Sequence, residues 1–237
     1  MTGSADVAER AGGRLRHLWS FREDVAVAAG ARDSVVVSWA SGAVAVEPAG
    51  PTVREVLRRM ELGPVLLGNA VVVGAAGEMD PHVYAYLLMR PVFARFPQLL
   101  RRTVGFDDLR GALVSIGPLA EGAAMCVPPL RAGAVLQLVV GVSVAFDGPS
   151  ATVEMRSASH RVVLHRYEAL LVVARLAWPA TPEAVAATLP IPAHVTAGVL
   201  DYLVAAGVVA PVAPVTPVTP ASPPPSRSGS RPRGCGR

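Results

Sequence analysis

The sequence predicts an α+β protein made of tandem winged-helix-like units, each a β-hairpin followed by helices, with a disordered proline-rich C-terminal tail. Three observations carry this expectation. The stretch GAVAVEPAGPTVREVLRRMELGP (residues 42–64) passes from an alternating strand directly into an amphipathic helix. More than a hundred residues later, HRVVLHRYEALLVVARLAWPAT (160–181) repeats that order, and proline again stops the helix. From residue 211 the composition changes to PVAPVTPVTPASPPPSRSGSRPRGCGR, with eight prolines in 27 residues. Such a segment cannot bury a core and reads as a disordered, polyproline II-like tail.

Residues 1–17 read as a flexible arm, and residues 18–149 as a first winged-helix-like domain with a strand-rich extension. In DSVVVSWASGAVAVE two short strands alternate about a turn at Ala40–Gly42, with Val35, Val37 and Trp39 on one face. Pro51 opens a helix at a favoured first-turn position. Val53, Val56, Leu57 and Met60 then form one apolar stripe, Glu55 and Arg59 pair on the wet side, and Gly63-Pro64 ends the helix. Residues 79–104 read as a second helical region, capped by Asp80 with Pro81 behind it and kinked or broken by Pro91 and Pro97. A further turn is expected over 106–109. LVSIGPLA (113–120) and AVLQLVVGVSVAF (134–146) read as strands.

Residues 150–210 form the second winged-helix domain. ATVEMRSASHRVVLHR is strand, turn and strand, and it lines up turn to turn with DSVVVSWASGAVAV. The helix YEALLVVARLAW places Leu170, Val173, Ala174 and Ala177 on one face. Thr181 and Pro182 open a short helix. A longer helix follows, with Val195, Val199, Tyr202, Leu203 and Ala206 as its stripe and Gly207 at its end, and VVA leads off as a strand. Hairpin, helix, short helix, long helix and strand is the order of a winged helix.

Composition excludes several functions. All 22 basic residues are arginine, and four of them (Arg227, Arg231, Arg233, Arg237) lie in the tail, so the net charge of +4 is no footprint of a nucleic-acid surface. Cys126 and Cys235 make neither a disulfide framework nor a metal cluster, which points to a reducing, cytoplasmic setting. The N-terminus lacks an apolar signal core. The uncharged runs at 62–77 and 132–146 fall short of the roughly 18–20 residues of a helical span.

Catalytic motifs are missing. There is no G-x-G-x-x-G after a strand, no phosphate loop, no G-x-S-x-G and no H-E-x-x-H. His160 and His165 are five apart on one strand, so they point to opposite faces and cannot share a metal. Asp107-Asp108 reads as a loop, and His82 and His194 as first-turn residues of helices. A winged helix reads DNA with basic or amide side chains on its long helix. Here that exposed face offers His194, Thr196, Ala197 and Asp201, without an arginine, so a DNA-binding regulator is the disfavoured alternative. An extended peptide added as a strand to the wing sheet suits an Ala/Val-rich surface better. The peptide-binding residues expected on this basis are Val162, Val163, Leu164 and Tyr202. No catalytic, cofactor-binding or metal residue is assigned.

Two stretches carry a family resemblance. LWSFREDVAV (18–27) with PTVREVLRRMELGPVLLGN (51–69) resembles the opening of SagB-type dehydrogenases, which are related to cyanobactin oxidases. The segment from Ser157 to Val209 resembles the region ahead of their flavin domain. The resemblance implies an FMN-dependent oxidoreductase that converts azolines in ribosomally made peptides to thiazoles and oxazoles. In this reading the chain is the non-catalytic, peptide-recognising front part, as a stand-alone subunit or a truncated reading frame. FMN belongs to a nitroreductase-like domain that it lacks. The implied partners are a precursor peptide and a flavin-domain or cyclodehydratase subunit, with no nucleic acid and no membrane. An oxidoreductase subunit whose FMN site is completed by an oligomer or partner is the alternative.

Overall fold

The computed structural model describes residues 14–212 apart from 109, 121–122, 124, 126–130, 132 and 157. The expected arm, the Pro-rich tail and both cysteines therefore fall wholly or mostly outside the described residues. Mixed α+β structure is observed. Eleven strands are described: β1 Leu15–Phe21, β2 Ala26–Ala29, β3 Val35–Trp39, β4 Gly42–Val46, β5 Leu100–Phe106, β6 Ala112–Pro118, β7 Leu136–Leu138, β8 Ser143–Asp147, β9 Ser150–Glu154, β10 His160–Leu164 and β11 Val209–Pro211. The helices are α1 Pro51–Leu62, α2 Pro81–Phe93, α3 Tyr167–Arg175, α4 Pro182–Thr188 and α5 Ala193–Ala205.

Local chemistry accounts for the helix ends. Pro51 and Pro81 sit in the first turns, and the Asp80 carboxylate accepts from the N–H groups of His82 and Val83 at 2.8 and 3.1 Å. Thr181 Oγ1 accepts from the Ala184 N–H at 3.2 Å. The α1 stripe Val53, Val56, Leu57 and Met60 is fully packed, and Glu55 grips Arg58 and Arg59 at 2.9 and 2.6 Å. These two hydrogen bonds, Arg58 first, lower the Glu55 pKa to about 2. Leu57→Ala is expected to lower stability by about 2–5 kcal/mol in urea unfolding. Leu62→Ala, at a site 74% exposed, should stay within about 0.5 kcal/mol.

Two copies of one topology make up the molecule. In the first, β1 leads into the antiparallel meander β2-β3-β4, then α1, a 3-10 turn (Leu67–Ala70), α2 and β5, and β5 returns to pair with β1. In the second, β7 leads into the meander β8-β9-β10, then α3, α4, α5 and β11, and β11 returns to pair with β7. Even an isolated bridge recurs. Trp19 of β1 exchanges two backbone bonds with Val65, both 2.9 Å, and Leu136 of β7 exchanges two with Ala180, at 2.8 and 3.0 Å. The bridge follows the first helix of its unit in each case.

The units are not separate bodies. Strand β6 lies between β5 of the first and β10 of the second, giving one six-stranded sheet, β1-β5-β6-β10-β9-β8. The boundary expected at residue 149/150 falls in the β8–β9 hairpin, where Asp147 faces Ser150, and the one expected at 17/18 falls inside β1. Neither position divides the sheet: β1 runs through 17/18, and the turn Gly148-Pro149 at 149/150 joins two paired strands. Strands β2-β3-β4 make a second sheet over α1.

Three further expectations are corrected. Leu100–Phe106 is a strand, β5; helix α2 runs through Pro91 but ends at Phe93, and Pro97 opens a 3-10 turn. Pro91 falls in the last turn of α2, so its ring disturbs few intrahelical bonds. The buried face of α3 is Ala169, Val172, Val173 and Leu176, while Ala174 and Ala177 are exposed. Thr196 is buried rather than solvent-facing, because α5 lies against β1, β5 and β6. Gly198 permits that approach: a Cβ there would overlap Leu15 of β1.

Candidate binding cleft

Strand register fixes which side chains meet on the helix-covered face of the large sheet. Trp19 and Arg102 are direct partners across β1 and β5, and His17 and Val104 are the next pair on that face. Helix α2 stands over one part of this face and α5 over another. Arg102 lies between them. Its Cζ is 4.5 Å from the Trp19 ring centre and 5.6 Å from that of Tyr202 on α5, which is cation–π range for both. Trp19 in turn stacks on Phe93 of α2 at 4.7 Å, with Tyr86 at 6.5 Å. His17 stacks on Tyr202 at 5.8 Å, and its Nδ1 is 3.2 Å from the Tyr202 hydroxyl.

Two cavities flank the Arg102–Trp19 pair. One, of about 330 Å³, opens toward His17, Leu66 and His82. The other, of about 170 Å³, opens toward Arg90, Met125 and His160. Their described linings include Arg16, Arg90 and Arg102 and no carboxylate. Arg16 is neutralised by Asp107 at 2.6 Å. Among the described residues, Arg102 has no acidic partner. Burial, and then the Arg102 charge, lowers the His17 pKa, and burial lowers that of His160, so neither ring carries charge at neutral pH. Burial raises the Tyr202 pKa. The arginines supply the positive charge.

His165, on the opposite face of the sheet, is also lowered, by burial first and by Arg101 second. These histidines have a stability consequence. Their folded pKa values lie below the ordinary 6.5, so the unfolded chain takes up protons first as pH falls. The stability they contribute is complete above about pH 6.5 and is lost as pH drops toward the folded values. Each proton bound only by the unfolded state contributes a slope of about 1.4 kcal/mol per pH unit. Urea midpoints should fall between pH 7.5 and 5.5, and less so in His160→Gln.

The residues expected to bind peptide do not form a site together. Val162 and Leu164 are buried under the helices, and Val163 lies on the other face, half-buried. Strand β10 is paired on both borders, with β6 on one side and β9 on the other. Strand addition at β10 is therefore ruled out: its outward N–H and C=O groups are already used by β6. The same holds at Val36, since β3 is the middle strand of its sheet. Tyr202 is buried beside Arg102 and His17 and lines neither cavity.

His160 and His165 do face opposite ways, with His165 Nε2 2.8 Å from Ser115 Oγ and His160 Nδ1 2.9 Å from Ser159 Oγ. Asp107 and Asp108 are not a carboxylate pair in function, since Arg16 takes the first and Arg166 the second. His82 Nδ1 accepts from the Gly68 N–H at 3.2 Å. His194 stands in the first turn of α5 with its ring 6.0 Å from Phe106. Trp19 and Arg102 were missed from sequence. The alternation in LRHLWSF and LRRTVGF was the available signal.

Among the described residues no helix is long and apolar enough to cross a membrane. No protein-family model matches the chain, and no curated protein sequence matches it.

Proposed function

We propose that the chain is the peptide-recognition and scaffold portion of a SagB-type azoline-oxidising complex, with both repeats acting as winged-helix-like units and the redox chemistry supplied by a flavin-bearing partner. One observation carries this reading. The strand that ends each meander has the same place in its unit, yet the two differ in occupancy. The outer border of β10 is filled by the extended segment Ala112–Pro118, whereas the matching border of β4 has no strand on it among the described residues. The molecule thus holds its own example of what the unit accepts: an antiparallel strand of small and aliphatic residues. Peptide docking moves from β10 to β4.

Strand β4 is suited to it. The hairpin closes through Trp39 and Gly42, so Ala43 and Ala45 turn their N–H and C=O groups away from β3. Both are exposed. Their methyl groups leave a guest backbone room to approach. The resemblance of 18–27 and 51–69 to SagB-type enzymes names the guest, a precursor peptide, and the setting, the cytoplasm.

The described residues do not fit FMN. The N-terminus of α2, whose His82 lines one cavity, is already filled by the Asp80 carboxylate, and a flavin phosphate there would meet like charge. No step through flavin is derived for these residues. A DNA-reading role is opposed by the packing of α5, whose Val195, Thr196, Val199 and Leu200 are buried.

Calorimetric titration with a SagB-type precursor peptide tests the reading. Saturable heat at micromolar concentration is expected. No heat at high micromolar concentration would refute it, and a yellow, flavin-fluorescent purified protein would favour the oxidoreductase alternative.

A further inference from the structure

Among the described residues, two buried side-chain nitrogens have no hydrogen-bond partner: Arg102 Nε and His160 Nε2. Both residues line the same 170 Å³ cavity, on its β5 and β10 walls. His160 is 5% exposed. A buried donor left unmet carries its full desolvation penalty, so two fronting one cavity point to a missing acceptor. Arg102 Nε is always a donor. His160 Nε2 is a donor when the Ser159 hydroxyl donates to Nδ1.

The geometry constrains what could supply the acceptors. Strand β6 lies between β5 and β10, so roughly 10 Å of sheet separates the two walls. A polypeptide can meet both donors, with a carboxylate at Arg102 and a backbone carbonyl at His160. The surroundings agree. Arg90 adds a second cation, and the described lining has no acid to repel a carboxylate. The cavity walls Trp19, Tyr86, Phe93 and Met125 are apolar. An exposed apolar stripe, Val83, Tyr86 and Leu87, continues along α2 at 50%, 46% and 52% exposure. An inorganic anion would leave that stripe bare, whereas apolar side chains beside a carboxylate would cover it.

We infer that the cleft between α2 and strands β5 and β10 is a binding site for an acidic side chain of a partner polypeptide, flanked by apolar residues, with Arg102 as its anchor and His160 as a second donor. The site is distinct from the border of β4. It deepens the peptide reading, on which it rests for the kind of ligand, by naming a second anchor and the residue class that anchor selects.

The test uses acetyl-Leu-Glu-Leu-amide, its Gln analogue and inorganic phosphate, each titrated into the full chain while the Arg102 Nε–Hε resonance is followed. The Glu peptide should shift that resonance saturably. The Gln analogue should bind at least fivefold more weakly, and phosphate should produce no comparable shift. Arg102→Gln, followed by titration heat because the reporting resonance goes with the side chain, should lose binding of the Glu peptide; unchanged binding would overturn the assignment. Tyr86→Ala, at a half-exposed rim position, keeps the fold and should weaken the response severalfold. Ala45→Pro should leave it unchanged, so failure of the β4 reading is seen separately, as an unaltered precursor titration in that variant. An equal response to the Gln analogue, an equal response to phosphate, or no shift at 10 mM Glu peptide would each overturn the assignment.

Discussion

Arg166→Met is expected to lower the folding free energy by about 3 kcal/mol, read as a drop in urea midpoint at unchanged slope. Arg166 precedes α3 and is 9% exposed at its side chain. It holds Glu168, 7% exposed, at 2.6 Å and Asp108 at 2.9 Å. Removing the guanidinium strands Glu168 in a poorly hydrated site. The expected loss lies at the low end for a broken buried pair because the exposed Arg110 still reaches Glu168 at 3.2 Å. Replacing both partners, Arg166→Met with Glu168→Leu, should recover much of the loss, since no charge is then left buried. Burial by itself would raise the pKa of Glu168 and of Asp108, but the Arg166 hydrogen bond and charge outweigh it and hold both below the usual carboxylate range. The network therefore stabilises fully above the unfolded carboxylate values near pH 4, and the contribution disappears as pH falls through the lower folded ones. Arg166→Met should flatten that acid limb.

Ala45→Pro should weaken precursor binding at least tenfold while leaving circular dichroism and the urea midpoint nearly unchanged. Proline removes one outward N–H and places a ring on the border where a guest strand would lie, yet edge strands tolerate it because no resident partner uses that N–H. The matched substitution Val163→Pro should unfold the second unit. Its strand is interior, and the register pairs Val163 with both Ser115 and Thr152. The contrast between two sites of equal topological rank is the sharpest consequence of the difference in occupancy.

Local signals were legible in the sequence, and long-range pairings were not. Proline and capping residues at 51, 80–81 and 181–182 marked helix starts because those effects act within one turn. The turn at Ala40-Ser41 marked the first hairpin for the same reason. Strand β5 was hidden because LRRTVGF follows an apolar helix and carries two arginines. Only its pairing with β1 and β6 makes it a strand, and neither partner is within reach of a local window. The face of α3 came out wrong because a run of Ala, Leu and Val offers several stripes, and packing on α5 and β10 selects among them. The expected peptide residues at β10 failed on one fact that no pattern reveals: strand β6 takes that border. Arg102 was invisible as a site residue, since a cation between two aromatic rings from β1 and α5 is assembled from segments far apart in the chain.

Amide hydrogen exchange, residue by residue, tests the central claim most directly. In the free protein Ala43 and Ala45 should exchange rapidly and Val162 to Leu164 slowly. Adding precursor peptide should slow Ala43 and Ala45 and leave β10 as it was. New protection confined to β10, or Ala43 and Ala45 already protected without peptide, would contradict the account.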